Sequence, residues 1–450
     1  MVFTVAAPCC VRALERWVLR PCFALGSFEV EVSVTNVKLL YVLIALALLL
    51  PPASSQGQEL PSLTLGDALA RAREQNPDLL AARQELEIAR GRLVKARYPN
   101  PFNPEIGGEV TNRSRGEPGE IGSSADFAVT LSQELEVAGQ RGKRIEEAEH
   151  NLEKIAQQVR DAERVLTAQV KGAFYQALSR KRRLGLFRQV ENLNRRLQEI
   201  GVARFQAGEV PKMEVNLAEI RLGQARKDTI VAESEYRNTL RALERLIGRE
   251  PTGASEPLGQ LTVQPEEFQL TDLLRLALEG RPDLRASAEE LRRIDAEIAL
   301  TRRLIVPNPT LSFLYREEER RDRIAGAAVS IPLPVFDRKQ AELTQLAGRR
   351  GQASYERRGV LLRIRQEVGD ALRSYEAAKA GVAVFEKDVL EHAQENFQLI
   401  ETAYREGKID LLQVVVVQND LFNAQFSYLD SLSDYWSART ALEQAVGQDL

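Results

Sequence analysis

Two long stretches of the chain place hydrophobic residues at every third or fourth position, which is the period of helices packed against other helices. The first series is Leu152, Ile155, Val159, Ala162, Leu166, Val170, Ala173, Ala177 and Leu184. The second series is Leu361, Ile364, Val368, Ala371, Tyr375, Ala378, Val382, Phe385 and Val389. No proline occurs between Pro118 and Pro211 or after Pro334, so neither stretch contains a helix breaker. These narrow seams predict coiled-coil helices, one of which would run from about Gly139 to Phe205 over about 100 Å.

Four short segments instead alternate apolar residues with small or polar ones, which is the period of a β-strand. Their apolar positions are Ile106, Gly108 and Val110; Phe127, Val129 and Leu131; Leu311, Phe313 and Tyr315; and Ala325, Ala327, Val329 and Ile331. Each segment has the length of a tilted strand that crosses a bilayer, about 9–11 residues. They predict two hairpins, with loops at 114–123 and 317–323, in which Val129 faces lipid and Thr130 faces a lumen. Two soluble hairpins in a small sheet are the alternative that this pattern leaves open.

The same order of segments occurs twice. In the first copy a helix is predicted to start at Pro77, capped by Asn76, and in the second copy the corresponding helix starts at Pro282. The stretch from Leu63 to Leu79 is similar to the stretch from Phe268 to Leu284, 205 residues further along the chain. The same spacing relates Asn103 to Asn308. Near the ends of the long helices the spacing becomes 199 residues. A unit of this size is too long for a solenoid period. We therefore predict a first repeat at 56–248, a linker at 249–267 and a second repeat at 268–450.

The N-terminal region has the features of a targeting segment. Lys38 precedes an unbroken apolar run from Leu39 to Leu50, which spans only about 18 Å as a helix. That is too short for a bilayer but typical of a signal peptide, and Ala53 and Ser55 fit a cleavage site after Ser55. Residues 1–55 are therefore predicted to be a presequence, with a buried core helix as the alternative. We further expect translation to begin at Val37, which would leave residues 1–36 outside the protein.

Composition excludes several classes of function. The 450 residues include 61 Lys and Arg and 64 Asp and Glu, so the protein has no excess of positive charge that would attract nucleic acid. The cysteines are Cys9, Cys10 and Cys22, and the histidines are His150 and His392. Such a chain has few ligands or nucleophiles for zinc, thiol or Ser-His chemistry, so we predict no enzyme, catalytic residue, cofactor or metal site. Beyond residue 55 no apolar run is long enough for a transmembrane helix, so any membrane entry must use strands.

The strand count constrains the assembly. Four strands cannot close a barrel, and an open sheet edge in lipid would leave backbone groups unpaired. Three copies would supply twelve strands, which enclose a lumen. The predicted fold is therefore mainly α with a small β part. Each protomer would contribute a long coiled-coil helical tunnel segment and four membrane strands, and a trimer would form a 12-stranded β-barrel and an α-helical barrel.

With these elements in place, the sequence resembles the TolC-like outer-membrane efflux family over essentially the whole predicted mature chain. The resemblance rests on motifs that occur once in each repeat. Each repeat opens with a similar segment, 68–79 and 273–284, and each first helix ends at a Pro-Asn-Pro sequence, 99–101 and 307–309. Each repeat also has an aromatic-x-x-Gly turn, at Gly208 and Gly407, and the chain closes with the segment 441–447. The segment 331–338 is similar to the cobalt-zinc-cadmium (CzcC-type) cation-efflux branch. Many relatives carry a lipidated N-terminal cysteine, which the predicted mature chain lacks.

The resemblance implies an exit duct in the cell outer membrane with a long periplasmic extension. It implies a homotrimer surrounded by outer-membrane lipid that docks on a periplasmic adaptor protein and an inner-membrane RND-type pump. The sequence leaves the conducted cargo open between metal cations and organic compounds. Adaptor docking is implied at the helical tips, at Gly208 and Gly407 with Phe205 and Tyr404. Both glycines can adopt positive φ and reverse the chain, and Pro211 would start the next helix.

The resemblance also implies a channel constriction near these tips. The candidates are Glu209 and Glu214 in the first repeat and Asp410 and Gln413 in the second. The alternative is that the acids are solvated first-turn residues favoured by the helix dipole. Because Gln413 and Val416 stand where some relatives carry acids, we do not expect an aspartate ring. The second function class left open is a soluble periplasmic coiled-coil or adaptor-like protein.

His150 and His392 lie far apart within the predicted long helices. We expect them on helix surfaces or seams and not as metal ligands. An ion pair between an arginine and an acid across the tip is not evident in the second repeat, because Ile409 carries no charge.

Overall fold

A computed structural model of the chain describes residues 62–114, 123–252, 255–263, 265–318 and 322–450. The helices are α1 (Leu65–Gln75), α2 (Pro77–Ala96), α3 (Gln140–Gln206), α4 (Lys212–Leu246), α5 (Leu270–Gly280), α6 (Pro282–Arg303), α7 (Gln340–Val384), α8 (Leu390–Arg405) and α9 (Leu411–Val446). The strands are β1 (Ser62–Leu63), β2 (Glu105–Ser114), β3 (Ser123–Glu134), β4 (Glu256–Pro257), β5 (Thr310–Glu318) and β6 (Asp322–Ser330). The predicted presequence and the loop residues 115–122 and 319–321 lie outside the described residues.

The two repeats begin with the same pair of helices, α1–α2 and α5–α6. Only the second helix of each pair was predicted from the sequence, and its predicted start at Pro77 or Pro282 is confirmed. Asn76 caps α2 by accepting the main-chain N–H of Leu79 at 3.0 Å, and Pro77 follows at the first helical position. The preceding helix α1 is capped separately by Thr64, whose hydroxyl accepts the N–H of Asp67 at 3.2 Å.

The long helix of the first repeat is confirmed. Helix α3 has 67 residues, which corresponds to about 100 Å. In the second repeat the corresponding arm consists of α7, one π-helical turn at Phe385–Val389, and α8. The prediction of one continuous seam through Phe385 and Val389 was therefore wrong. A π turn holds more residues than an α turn, so it rotates the residues beyond it away from the seam that ends at Val382.

The predicted seams form the core of the helical part. Val170, Ala177, Ile364 and Val368 are completely buried. They belong to a cluster that joins the two repeats through α1, α3, α5, α7 and α9. A second buried cluster lies toward the far ends of the arms and contains Leu193, Leu197, Ala218, Phe397, Tyr404, Leu411, Val414, Val415, Leu421 and Phe422. Both clusters combine residues of the two repeats, so the repeats share one helical body.

The two predicted hairpins are confirmed, and they form one antiparallel sheet in the order β2-β3-β5-β6. Leu131 of β3 lies opposite both Ile106 of β2 and Phe313 of β5. Val129 likewise lies opposite Gly108 and Tyr315. Directly opposed residues share one face of an antiparallel sheet, so the predicted apolar positions form a continuous face across the strands.

The stretch predicted to be a linker contains a further strand. Strand β4 pairs in parallel with β1, with Ser62 opposite Glu256 and Leu63 opposite Pro257. Residues 256–257 are therefore fixed to the beginning of the first repeat. Among the helices in the described ranges, none has an apolar stretch of the length needed to span a membrane.

Candidate functional site at the helical tips

The first tip follows the end of α3 and reverses the chain at Gly208. Gly208 has a φ of 80°, in the left-handed region that favours glycine. Its N–H donates to the carbonyl oxygen of Phe205 at 3.0 Å, and the N–H of Glu209 donates to that of Arg204 at 2.9 Å. This pair of bonds is the Schellman motif that ends a helix.

The second tip has the same geometry. Gly407 has a φ of 72°, and its N–H donates to the carbonyl oxygen of Tyr404 at 3.0 Å. The N–H of Lys408 donates to that of Ala403, also at 3.0 Å. The prediction of positive φ at both tip glycines is confirmed. Among the described residues, no atom lies within 4 Å of a Cβ built on Gly208 or Gly407, so both turns leave room for another chain.

The helices that follow the tips start with different caps. Pro211 was predicted to start α4, but it occupies the cap position, and the helix begins one residue later at Lys212. Asp410 caps α9, and its carboxylate accepts the N–H of Gln413 at 3.0 Å. The carboxylate of Asp410 therefore stabilises the positive end of α9, which is the role that the alternative interpretation gave it. Its contribution to a constriction, with exposed Gln413, stays a prediction.

Arg204 connects the two tips, although no pattern in the sequence singled it out. Its Nε lies 3.2 Å from a carboxylate oxygen of Glu209, and its Nη1 lies 4.0 Å from Glu214. Its guanidinium lies 5.3 Å from the centre of the Tyr404 ring, a cation–π distance. The hydroxyl of Tyr404 donates to Oε1 of Glu214 at 3.2 Å. Arginine pairing at the tip thus exists, but it starts from the first repeat.

The two aromatic residues of the paired turns have different surroundings. Phe205 is 41% exposed, whereas Tyr404 is 2% exposed and packs in the second buried cluster. Burial raises the pKa of the Tyr404 phenol, which therefore stays a protonated donor near neutral pH. Within the protomer, Phe205 offers surface to a docking partner and Tyr404 holds the repeats together. Direct docking on Tyr404 does not fit this burial.

The predicted constriction acids also differ. The side chain of Glu209 is 59% exposed, while that of Glu214 is only 13% exposed. Glu214 accepts from Tyr404, so its carboxylate is directed into the protein. Glu209 and Asp410 are the two acids of this set that remain on the surface of the tips.

The two histidines lie on helices, as predicted. Nδ1 of His150 lies 2.9 Å from a carboxylate oxygen of Glu289 on α6, and His392 is an exposed residue of α8. Within the described ranges, no group of three or more His, Cys, Asp or Glu side chains is placed to hold a metal ion.

The long helical arms, the shared sheet with one apolar face and the paired tips define an outer-membrane channel protein. The chain belongs to the outer membrane efflux protein family, whose model matches residues 68–249 and 273–448. This confirms the predicted family, the function in efflux and the location in the outer membrane. It favours the channel over the soluble adaptor-like alternative.

Particular relatives share most of their length with this chain. The cobalt-zinc-cadmium resistance protein CzcC of Cupriavidus metallidurans is 26% identical, and the match covers 86% of this chain and 90% of that protein. The outer membrane efflux protein BepC of Brucella suis is 25% identical over 90% of each chain. Among solved structures, the CmeC outer membrane channel of Campylobacter jejuni superimposes with a TM-score of 0.73 at 15% identity, covering 85% of each chain.

Proposed function

We propose that three copies of the chain form the passive exit duct of a tripartite pump, which receives its substrate from an inner-membrane RND-type pump through a periplasmic adaptor. One structural relationship carries this proposal. A sheet with a continuous apolar face sits at one end of the helical arms, and α3 is about 100 Å long and ends in an open turn. A membrane segment and a distant docking point are what such a duct requires.

The tips are the proposed docking point for the adaptor. A glycine without neighbours lets the backbone of a partner helix approach closely, and both tips offer one. Phe205 adds an exposed aromatic surface beside Gly208, the kind of side chain that dominates binding energy in interfaces. Arg204 and Tyr404 act as positioning residues, because they fix the first tip to the second.

We propose divalent metal cations as the cargo. The similarity to CzcC over 86% of this chain and the segment 331–338 support this substrate class. The exposed carboxylates of Glu209 and Asp410 would repeat three times around a trimer entrance. Such a ring of surface charge concentrates cations without binding them firmly, which suits conduction.

A deletion strain tests the function. We expect the strain to lose tolerance to cobalt, zinc or cadmium and to regain it when the intact gene is returned, with unchanged tolerance to toluene. Restoration of toluene tolerance alone would identify an organic cargo. Extraction with mild detergent should yield a heat-sensitive trimer from the outer membrane, and a monomer soluble without detergent would overturn the duct.

A further inference from the structure

A cavity of about 320 Å³ lies between α1, α3 and the end of α9. Its lining includes four basic side chains, Arg73 of α1 and Arg160, Arg164 and Lys171 of α3. The three α3 residues lie on one side of the helix, about 30–45 Å from its start at Gln140, so the cavity is remote from both the sheet and the tips. A cavity of this volume is large enough for a small ligand.

Lys171 is a buried cation in this lining. Only 8% of the residue is exposed. Its ammonium lies 2.6 Å from a carboxylate oxygen of Glu443 on α9 and 2.5 Å from Oδ1 of Asp449. Burial alone would lower the pKa of Lys171, but Asp449 and Glu443 raise it above its usual value. Lys171 therefore stays charged and requires carboxylate partners.

The two partners of Lys171 differ in how firmly the protein holds them. The side chain of Glu443 is 12% exposed, whereas that of Asp449 is 82% exposed. Asp449 belongs to a short segment, 448–450, that follows α9 and its glycine cap Gly447. Because ion pairs of exposed side chains stabilise proteins little, Asp449 can return to water at small cost. Lys171 thus has one fixed partner and one exchangeable partner.

Arg439 holds the same segment at a second point. Its Nη2 donates to the carbonyl oxygen of Leu450 at 2.6 Å. Arg439 is 7% exposed, and its Nη1 is buried without a hydrogen-bond partner among the described residues. An unpartnered buried donor is unfavourable, so this position favours an additional acceptor. Segment 448–450 therefore offers the protein a carboxylate and a carbonyl, the two acceptor groups of an acidic peptide.

Arg160 adds a cation without a partner to the lining. It is exposed and has no acceptor among the described residues, whereas the other three basic residues of the lining are paired. The acids of the lining are Glu163, Glu443 and Asp449. When Asp449 moves away, four basic residues face two acids, and the cavity has a positive excess that attracts an anionic group.

The duplication of the chain does not account for Lys171. The seam residues Val170 and Val368 are both completely buried and lie 198 residues apart. At this spacing Gly369 corresponds to Lys171, so the second repeat has no lysine at this point. The buried cation is therefore a property of this cavity and not of the helix that both repeats share.

We infer that the cavity is a binding site for an acidic peptide segment of a periplasmic partner, and that residues 448–450 occupy it in the partner's absence. The partner's carboxylate replaces Asp449 on Lys171, and one of its main-chain carbonyls replaces Leu450 on Arg439. A peptide is the class of ligand that the site favours, because the groups bound there now belong to an acidic peptide segment. The inference does not depend on adaptor docking, since the tips lie elsewhere.

Peptide binding to the detergent-solubilised full chain tests this inference. The probe is a fluorescent, amidated peptide with the sequence Gly-Gln-Asp-Leu of residues 447–450, and its binding is measured by fluorescence anisotropy. We expect Asp449→Asn to bind the probe about fivefold more tightly than wild type, because the internal competitor is weakened. The matched control Asp434→Asn removes the same charge from an exposed position of α9 outside the cavity and should leave the affinity unchanged.

Two further comparisons identify the groups that bind. A probe with asparagine in place of its aspartate should bind about tenfold more weakly, because it loses a charge-assisted hydrogen bond to Lys171. Lys171→Met should abolish binding of the acidic probe. Arg160→Gln should weaken that binding, and this exposed position gives a result even if the buried Lys171→Met variant does not fold.

Three results would overturn the inference. They are equal affinities of Asp449→Asn and Asp434→Asn, equal binding of the acidic and the asparagine probe, and unchanged binding in Arg160→Gln. Displacement of the probe by succinate at the same concentration would also overturn it, since the peptide main chain would then contribute nothing. Any of these results would leave the proposed exit duct standing.

Discussion

The hydroxyl of Tyr404, near the end of α8, donates to Oε1 of Glu214 in the first turn of α4 at 3.2 Å. This bond links the end of the second arm to the start of the first return helix. Arg204 lies against both residues, so the three side chains connect both tips in one cluster. A displacement at one tip is therefore transmitted to the other through side chains that touch.

Tyr404→Phe should loosen the tips without unfolding the protein. The ring keeps its apolar packing, but Glu214 loses a donor, which costs about 0.5–1.5 kcal/mol. We expect faster amide hydrogen exchange at the start of α4, where Glu214 lies, with unchanged exchange in the β-sheet. Exchange rates equal to wild type at the start of α4 would contradict a positioning role for this hydroxyl.

The same contact predicts a response to alkaline pH. Burial raises the pKa of Tyr404 above its usual value of 10. A raised folded-state pKa means that the protonated phenol contributes its stability fully below pH 10, and that this contribution disappears as the pH rises through the higher folded value. Amide exchange at the tip should accelerate in that range in wild type, beyond the general effect of base. The difference between wild type and Tyr404→Phe should therefore shrink there, and a difference that persisted would count against the assignment.

Gly407→Val should stop export while leaving the trimer intact. A β-branched residue at a φ of 72° carries strain of about 1–3 kcal/mol and would also block close approach of a partner backbone. Export and adaptor cross-linking should both be lost at normal trimer levels in the outer membrane. Gly407→Asn is the matched control, because asparagine tolerates positive φ and should keep both activities better. Full export by Gly407→Val would remove this glycine from the docking site.

Gly248→Ala offers a contrast at a glycine of similar φ. Gly248 has a φ of 75°, but a Cβ there would lie 2.2 Å from the carbonyl oxygen of Gln75. Since main chain cannot move aside cheaply, we expect this variant to lose assembled trimer itself. Normal trimer levels in Gly248→Ala, measured by gel without heating, would contradict the packing of α1 against the end of α4.

Val129→Arg should reduce assembly far more than Thr130→Arg. Val129 lies on the apolar face opposite Gly108 and Tyr315, and Thr130 lies on the other face opposite Gly107 and Leu314. Arginine in contact with lipid near the bilayer midplane costs about 2–4 kcal/mol per chain. The amount of trimer in the outer-membrane fraction is the measurement. Equal amounts for the two variants would refute the assignment of the lipid-facing side.

Asp283→Asn should destabilise the helical body near neutral pH. The carboxylate of Asp283 accepts from Nη2 of Arg281 at 2.8 Å, and Arg281 is 2% exposed. Burial alone would raise the pKa of Asp283, but Arg281 lowers it below the usual 3.8. The ionised carboxylate therefore contributes stability above pH 3.8, and this is lost as the pH falls through the lowered folded value.

Thermal unfolding of detergent-solubilised protein measures this contribution. Near pH 7 we expect Asp283→Asn to lose about 1–3 kcal/mol, because buried Arg281 keeps only part of its partners. The loss should shrink in strong acid. Asp78 is the residue that corresponds to Asp283 in the first repeat, and it is exposed, so Asp78→Asn is the control and should change stability little. An equal loss in both variants would mean that burial of the ion pair is not the cause.

Local signals in the sequence predicted much of the fold. Prolines predicted the starts of α2 and α6, and glycines predicted the turns at both tips. The alternation of apolar with small or polar residues predicted β2, β3, β5 and β6 and the face on which each side chain lies. These features depend on neighbours in the chain, so periodicity and turn chemistry record them. The π turn at Phe385–Val389 leaves no comparable trace, because it changes the phase of a helix and not its composition.

The site was predicted less completely, since its decisive contacts join distant parts of the chain. Phe205 and Tyr404 have the same place in the two turns, yet Tyr404 is buried because Leu411, Val414 and Arg204 surround it. The residue that corresponds to Arg204 in the second repeat is Ala403, so the duplication offered no reason to select Arg204. Gln140 and Asn308 are separated by 168 residues, and no pattern along the chain pairs them.

The hydrogen bond from Gln140, at the start of α3, to Asn308, just before β5, joins the two repeats within one chain. Such a junction also affects how quickly a ring can assemble. In the proposed trimer, six repeats form one ring, and the junctions inside each chain form between tethered segments at an effective concentration that dilution does not change. Only the junctions between chains depend on diffusional encounter and therefore on how much protein is present. Fusion of two repeats into one polypeptide thus halves the number of junctions that must form between separate chains, because each subunit arrives with one junction already made.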